Sequence, residues 1–306
     1  MNRNWYIINK LFHRFVKPYY QIIQKAVINK KYPIQQQRYL NSQKYRDWCQ
    51  NNSESKIIVS LTSMPQRINT VHLVIESIMN QSIKPDKIVL CLIKSEFGDD
   101  CKLPENLLSL LSERFEIIWG ETNLKPHNKY YYAMKKYPYA TIITVDDDCF
   151  YKKNLIKDLV HAHSLYPKEV ICTRAHCIKC TKDRVMEYKD WDYETLQCYI
   201  PSNLICATGV GGVLYPAGCL PKETFNKQDI TRLCLNADDI WLKCMEILNN
   251  TKVICIKRFK TYPVGINHAE EEVNLMSDNV YNNRNDVFLK KVMDNYKIGV
   301  DKFLDE

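Results

Sequence analysis

The stretch TIITVDDDCF, Thr141–Phe150, runs an apolar, β-branched segment straight into three consecutive aspartates. β-Branched residues in a short apolar run read as a buried strand. Adjacent carboxylates repel one another, and burial makes each harder to ionise. A positively charged partner is therefore expected where this strand ends. The segment before it, HNKYYYAMKKY, reads as a helix stopped by Pro138. The segments after it, NLIKDLVHAHSLY and EVICTRA, read as an amphipathic helix and a strand.

Toward the N-terminus the same alternation continues. KIIVSL (56–61) predicts a first strand, followed by the turn TSMPQRI and a helix around Thr70–Asn80 that groups Val71, Val74, Ile75 and Ile78. KPDKIVLCL predicts a turn into a second strand, ENLLSLLSE a short helix and RFEIIWG a third strand. Strands alternating with helices imply a mainly parallel central sheet flanked by helices on both faces. In such sheets ligands sit beyond the carboxyl ends of the strands. Both TSMPQR and the aspartates fall at such ends.

Carboxylates at a strand end suit a hard divalent cation, Mn²⁺ or Mg²⁺, which takes oxygen ligands and binds substrate phosphates through its other positions. If strand geometry persisted, Asp146 and Asp148 would point the same way. The other reading is a solvated turn whose acids cap the next helix. ATGVGGVLYP (207–216) brings Gly209, Gly211 and Gly212 together in a chain with only 8 glycines, which lets backbone approach a ligand closely. It lacks the spacing of a dinucleotide fingerprint. NADDIWLKCM (236–245) sets Asp238 and Asp239 at the start of an apolar helix. There an acid serves either as an N-cap or as a general base for an acceptor hydroxyl.

Taken in order, IIVSLTSMPQRI, QSIKPDKIVLCL, KPHNKYYYAMKKYPYATIITVDDD, TGVGGVLYP and ADDIWL resemble family-2-like glycosyltransferases of the GT-A fold, most closely those of bacterial polysaccharide biosynthesis. The likeness covers about residues 56–260. It implies an α/β domain that binds a nucleoside-diphospho-sugar, with a UDP-sugar as the default donor and a glycan or lipid-linked acceptor. By position, Asp146 and Asp148 match the outer acids of the D-x-D metal motif and Asp147 its middle. Thr62, Ser63 and Arg67 match the nucleotide-contacting loop, and Lys129 a phosphate or nucleotide contact. Gly211 and Gly212 fall in the donor-binding set. Asp238 and Asp239 match an acidic pair whose second member is the base in inverting enzymes. Asp-Asp stands where Glu-Asp is common, one methylene shorter. His268 in GINHAEE matches a third metal ligand, though a histidine in a polar loop is also ordinary surface.

Charge and composition bound the alternatives. Of the formal +8, residues 1–50 hold +9, with ten Lys/Arg against Asp47, which leaves the other 256 residues near −1. A nucleic-acid binder carries its positive charge on the folded body, so nucleic acid is not an expected partner. The domain is expected over 51–306, with 1–50 a basic extension. In it Trp5, Ile8, Phe12, Phe15, Tyr19, Ile22 and Ile23 recur at helical steps among basic residues. That stripe suits an anionic membrane surface or packing on the domain or a partner. It is too short and interrupted to span a bilayer. The 13 cysteines lie in apolar segments rather than a loop-rich frame, which implies reduced thiols and a cytoplasmic setting, at most peripheral to the inner membrane face. Cys177-x-x-Cys180 lacks a second pair at zinc-ribbon spacing. Tyr130–Tyr132 reads as helix packing ahead of sugar stacking, with room for one ring at a site edge to do both, and Glu270–Glu272 as a solvated face. Two rival functions are a nucleotidyltransferase, disfavoured by the glycine-free TSMPQRI turn, and a non-catalytic membrane-associated binding protein.

Overall fold

The computed structural model describes residues 57–98, 102–195, 200–256, 263–266 and 283–304. The basic extension with its boundary near residue 50, His268 and Glu270–Glu272 lie outside the described residues.

In chain order the strands are β1 (Ile57–Thr62), β2 (Lys87–Ile93), β3 (Phe115–Gly120), β4 (Thr141–Thr144), β5 (Cys149–Phe150) and β6 (Val170–Cys172). They continue with β7 (Ala175–Cys177), β8 (Ile205–Ala207), β9 (Val213–Tyr215), β10 (Val253–Cys255) and β11 (Val264–Gly265). Seven of them form the central sheet, in the order β10-β6-β9-β4-β1-β2-β3. The block β4-β1-β2-β3 is parallel throughout, as is β6 with β10. Only β9 runs against its two neighbours, β4 and β6. This mainly parallel sheet flanked by helices is the α/β architecture expected from the sequence.

The helices are α1 (Val71–Met79), α2 (Lys94–Phe97), α3 (Glu105–Leu108) and α4 (Asn128–Lys136). They are followed by α5 (Leu155–Leu165), α6 (Lys227–Leu233), α7 (Asp238–Leu248) and α8 (Arg284–Tyr296). Strand residues alternate between the two faces of the sheet with period two. Val59, Leu61, Ile88, Leu90 and Ile143 pack with Val71, Val74, Ile75 and Ile78 of α1 and with Leu155, Ile156 and Leu159 of α5. Ile58, Val89, Cys91 and Ile142 meet Ala133 of α4 on the other face. There Val213, Tyr215 and Val253 join Trp241 and Met245 of α7.

Two expectations change. EVICTRA is not one strand: it breaks at Thr173–Arg174, and its second half leaves the main sheet to pair with β8. The break coincides with close approach of the glycine segment, where Thr173 Oγ1 donates to the Gly211 carbonyl at 2.5 Å. ENLLSLLSE forms only the single turn α3. The ten described cysteines are all free, and eight of them are buried. Among the described residues no helix is long and apolar enough to cross a membrane.

Candidate active site

At the carboxyl rim, β1 runs into a 3-10 turn, Pro65–Arg67. Thr62 anchors the start of this loop, its hydroxyl donating to the Cys91 carbonyl of β2 at 2.8 Å. Ser63 Oγ donates to Asp147 Oδ2 at 2.6 Å. Arg67 Nη1 spans two acids, 2.7 Å from Asp147 Oδ1 and 3.1 Å from Asp148 Oδ2. The loop after β1 thus clamps the loop after β4. Burial acts to raise the Asp147 carboxyl, and Arg67 and Ser63 offset only part of that.

Strand alternation does not continue through the aspartates. β4 ends at Thr144, and Asp147–Asp148 form a turn. Asp147 and Asp148 therefore share Arg67, while Asp146 goes elsewhere. Its backbone N–H donates to the Tyr151 hydroxyl at 2.8 Å, and that hydroxyl donates to the Val210 carbonyl at 3.1 Å. Its side chain meets Lys129.

The cation that meets Asp146 is Lys129, which comes from α4 and is buried among acids rather than left open as the phosphate or nucleotide contact expected of it. Ser60 of β1 fixes the helix by donating to the Lys129 carbonyl at 2.5 Å. Buried His127 fixes the turn before it: the ring bonds the Tyr130 hydroxyl through Nδ1 and the Cys234 carbonyl through Nε2, both at 2.8 Å. A carbonyl only accepts, so Nε2 carries the proton. The Lys129 ammonium sits 2.9 Å from Asp146 Oδ1 and 2.8 Å from Asp238 Oδ2. Burial alone would lower the Lys129 pKa, but Asp146, Asp238 and Asp239 together hold it well above the usual lysine range.

Asp238 and Asp239 open α7. Ala237 is the N-cap and makes no side-chain cap bond, so neither acid serves as the cap. Asp239 Oδ1 accepts the Gly209 N–H at 3.1 Å. The two carboxyls are driven apart. Burial raises both, yet Lys129 and then His127 bring Asp238 below the usual range. Burial first, and the Asp238 carboxylate second, push Asp239 up to about 8. Gly209 is a glycine of necessity: a Cβ there would stand 2.5 Å from Lys129 Nζ and 3.3 Å from Asp146 Oδ1.

The structure therefore brings Thr62, Ser63, Arg67, Lys129, Asp146, Asp147, Asp148, Asp238 and Asp239 to one rim. Gly211 and Gly212 sit differently. A Cβ on Gly211 would meet Thr173 and Arg174 within 3 Å, and Gly212 turns the chain at φ +87° beside Leu155. The glycine at the carboxylates is Gly209. Tyr151 is a further rim residue, linking the Asp146 backbone to Val210. The Gly209 signal in the sequence was its place first in the cluster; Tyr151 gave none.

Five carboxyls face two cations here, a formal −3 with every group ionised. Asp146 and Asp148 keep 28% and 34% of their side-chain surface, against 8% for Asp147. Partly open carboxylate oxygens fit a divalent cation by donor type, in competition with the Lys129 and Arg67 pairs they make here. Among the described residues no three His, Cys, Asp or Glu side chains form a metal-binding group on their own.

No protein-family model matches the chain, and no curated protein sequence matches it. Solved structures similar to it include 4-diphosphocytidyl-2C-methyl-D-erythritol synthase from Anaerococcus prevotii, at 14% identity and TM-score 0.45, over 78% of this chain and 99% of that one. Residues 1–349 of S. aureus TarS in complex with UDP are 12% identical at TM-score 0.45, over 78% of this chain and 65% of that one. The same TarS segment in a second structure is 14% identical at TM-score 0.43, over 78% and 70%. The fold itself rests on the strand order described above.

Proposed function

We propose that the protein transfers a sugar from a nucleoside-diphospho-sugar, with a UDP-sugar as the default donor, to a hydroxyl of a glycan or lipid-linked acceptor, with inversion at the anomeric carbon. The observation that carries this reading is the arrangement of Asp238 and Asp239 at the same rim as the aspartate turn: Asp238 lies 2.8 Å from Lys129 Nζ, while Asp239 Oδ1 is held by the Gly209 N–H at 3.1 Å. Burial and the Asp238 carboxylate raise Asp239, which makes its ionised form the stronger base of the two. A pair of carboxyls pushed apart in pKa divides roles in acid–base chemistry.

In this reading the acceptor oxygen attacks the anomeric carbon and its proton passes to Asp239. The bond from that carbon to the diphosphate breaks, and the diphosphate leaves with the electron pair. Gly209 N–H holds Asp239 Oδ1, which leaves Oδ2 to take the proton. Ser63 and Arg67 keep the aspartate turn folded against the loop after β1. A Mn²⁺ or Mg²⁺ held by Asp146 and Asp148 would supply positive charge against the departing diphosphate. Asp147, tied to Ser63 and Arg67, is then a positioning residue. A role for His268 as a third ligand and for an anionic membrane as the working surface belongs to the same proposal.

The test is a screen of nucleotide sugars with and without MnCl₂, following nucleoside diphosphate release and the anomeric configuration of the product. Wild type should turn over one donor with metal, while Asp148→Ala loses the metal response and Asp239→Asn loses transfer. Retained transfer by Asp239→Asn removes the base assignment. Release of pyrophosphate from a nucleoside triphosphate would replace this reading with nucleotidyl transfer.

A further inference from the structure

A second cluster reaches the rim from the β7–β8 ribbon. Thr208 precedes Gly209, and its Oγ1 lies 2.7 Å from Arg174 Nη1, which donates to it. Arg174 Nε and Nη2 donate to Glu194 Oε1 at 3.2 and 3.0 Å. The Glu194 N–H in turn donates to His176 Nδ1 at 2.9 Å. The His176 ring lies 4.7 Å from Tyr193 at 56° and 5.7 Å from Tyr188 at 86°. Tyr188 packs on Trp191 at 4.7 Å, and the Trp191 indole N–H donates to the Met186 carbonyl at 2.9 Å. A continuous run of contacts thus joins Gly209, which holds Asp239, to four aromatic rings.

Three features mark this cluster as more than packing. His176 and Trp191 are each 3% exposed, whereas Tyr193 keeps 42% of its surface and so presents a ring held from behind. Glu194 has φ +48°, a left-handed backbone that non-glycine residues adopt only under constraint and that gathers at ligand sites. The cluster also adjoins the proposed base. Cys206 lies opposite His176 in the ribbon and its Sγ contacts the Asp239 carbonyl at 4.0 Å. After burial and Cys206, the Asp239 carboxylate further raises the Tyr188 hydroxyl, which lies within its electrostatic reach.

We propose that Tyr193 is the stacking platform for a pyranose ring of the acceptor, with the Arg174–Glu194 pair at its polar edge. The C–H face of a pyranose packs against the negative face of an aromatic ring. A mostly apolar contact with a few fixed polar groups is the usual make-up of a small-molecule site. The inference rests on the transferase reading and names the part of that site that takes the acceptor.

The experiment is saturation-transfer NMR on the full chain with a panel of methyl hexopyranosides, each at millimolar concentration, with UDP and diamagnetic MgCl₂ present. At least one glycoside should show transfer to its ring C–H protons. That signal should fall at least fivefold in Tyr193→Ala and persist in Tyr193→Phe and Tyr193→Trp. An unchanged signal in Tyr193→Ala, or no signal from any glycoside on folded wild type, overturns the proposal. If UDP displaces the glycoside, the ring belongs to the donor subsite and the acceptor assignment fails. Thermal stabilisation of wild type by UDP and MnCl₂ reads the transferase proposal separately. Its absence beside a Tyr193-dependent glycoside signal would sink the donor reading and leave a sugar-binding platform.

Discussion

Replacing Lys129 by Met removes the one ammonium that lies between Asp146 and Asp238, at 2.9 and 2.8 Å, and leaves both carboxylates beside an apolar side chain. The lysine side chain is 7% exposed, so water does not take its place. Removing one partner of a buried pair costs about 3–5 kcal/mol, because the other charge stays uncompensated. For a domain of this size that is on the order of 10 °C in Tm. The loss depends on pH, and its sign follows from Asp238. Its folded pKa is lowered, so it contributes stability above the unfolded value that is lost as pH falls through the folded one. Without Lys129 its pKa rises, and the penalty at neutral pH disappears once the carboxyl is protonated. Urea unfolding at pH 7.5 and pH 4 should therefore show a wide gap between wild type and Lys129→Met that narrows on acidification. Adding Asp238→Asn to Lys129→Met should recover about 1–2 kcal/mol at pH 7.5, as expected for residues in direct contact. A gap below about 1 kcal/mol, as for an exposed pair, or one that does not change with pH, would refute the buried-cation account.

Further outcomes follow from neighbouring residues. Burial is the first cause that lowers the His127 pKa from 6.5 to about 4, so the unfolded chain binds a proton there that the folded chain does not. Stability should fall by about 3 kcal/mol from this site as pH drops from 6.5 to 4, and His127→Gln should flatten that part of the curve. Asp239, raised to about 8, should titrate near that pH in carboxyl ¹³C NMR of the metal-free protein, and its resonance should vanish in Asp239→Asn. Because the raised pKa favours the neutral form, Asp239→Asn should be more stable than wild type at pH 8 and equal to it near pH 4, by urea unfolding. Gly209→Ala would put a Cβ 2.5 Å from Lys129 Nζ. It should destabilise by about 1–3 kcal/mol through overpacking, and combining it with Lys129→Met should cost less than the sum.

Much of the architecture was legible because it is written in local patterns. The β-branched and aliphatic runs that became β1 to β4, and the 3.6-residue spacing of α1 and α5, each fit one element and leave little choice. What escaped notice depends on distant partners. The strand β9 has three residues, too few for any periodicity, and it is a strand only because β4 and β6 leave a slot between them. The break at Thr173–Arg174 coincides with contact of Thr173 with Gly211, 38 residues further on, which no local signal announces. At the site, residue types were easier to read than pairings. The aspartates announced a missing positive charge, and part of the answer was an ammonium from the tyrosine-rich helix α4, whose own sequence reads simply as packing.

The reversed direction of β9 has one more effect. A strand inserted antiparallel begins at the rim where its neighbours end, so the glycine turn reaches the aspartates with no crossover segment. It also means that β4 waits for a neighbour made 70 residues later. A chain cut before Val213 would leave β4 without its outer neighbour and β6 unpaired, and would lack Asp238 and Asp239. The rim should therefore be among the last regions to assemble, and N-terminal fragments should self-associate through the open strand edges.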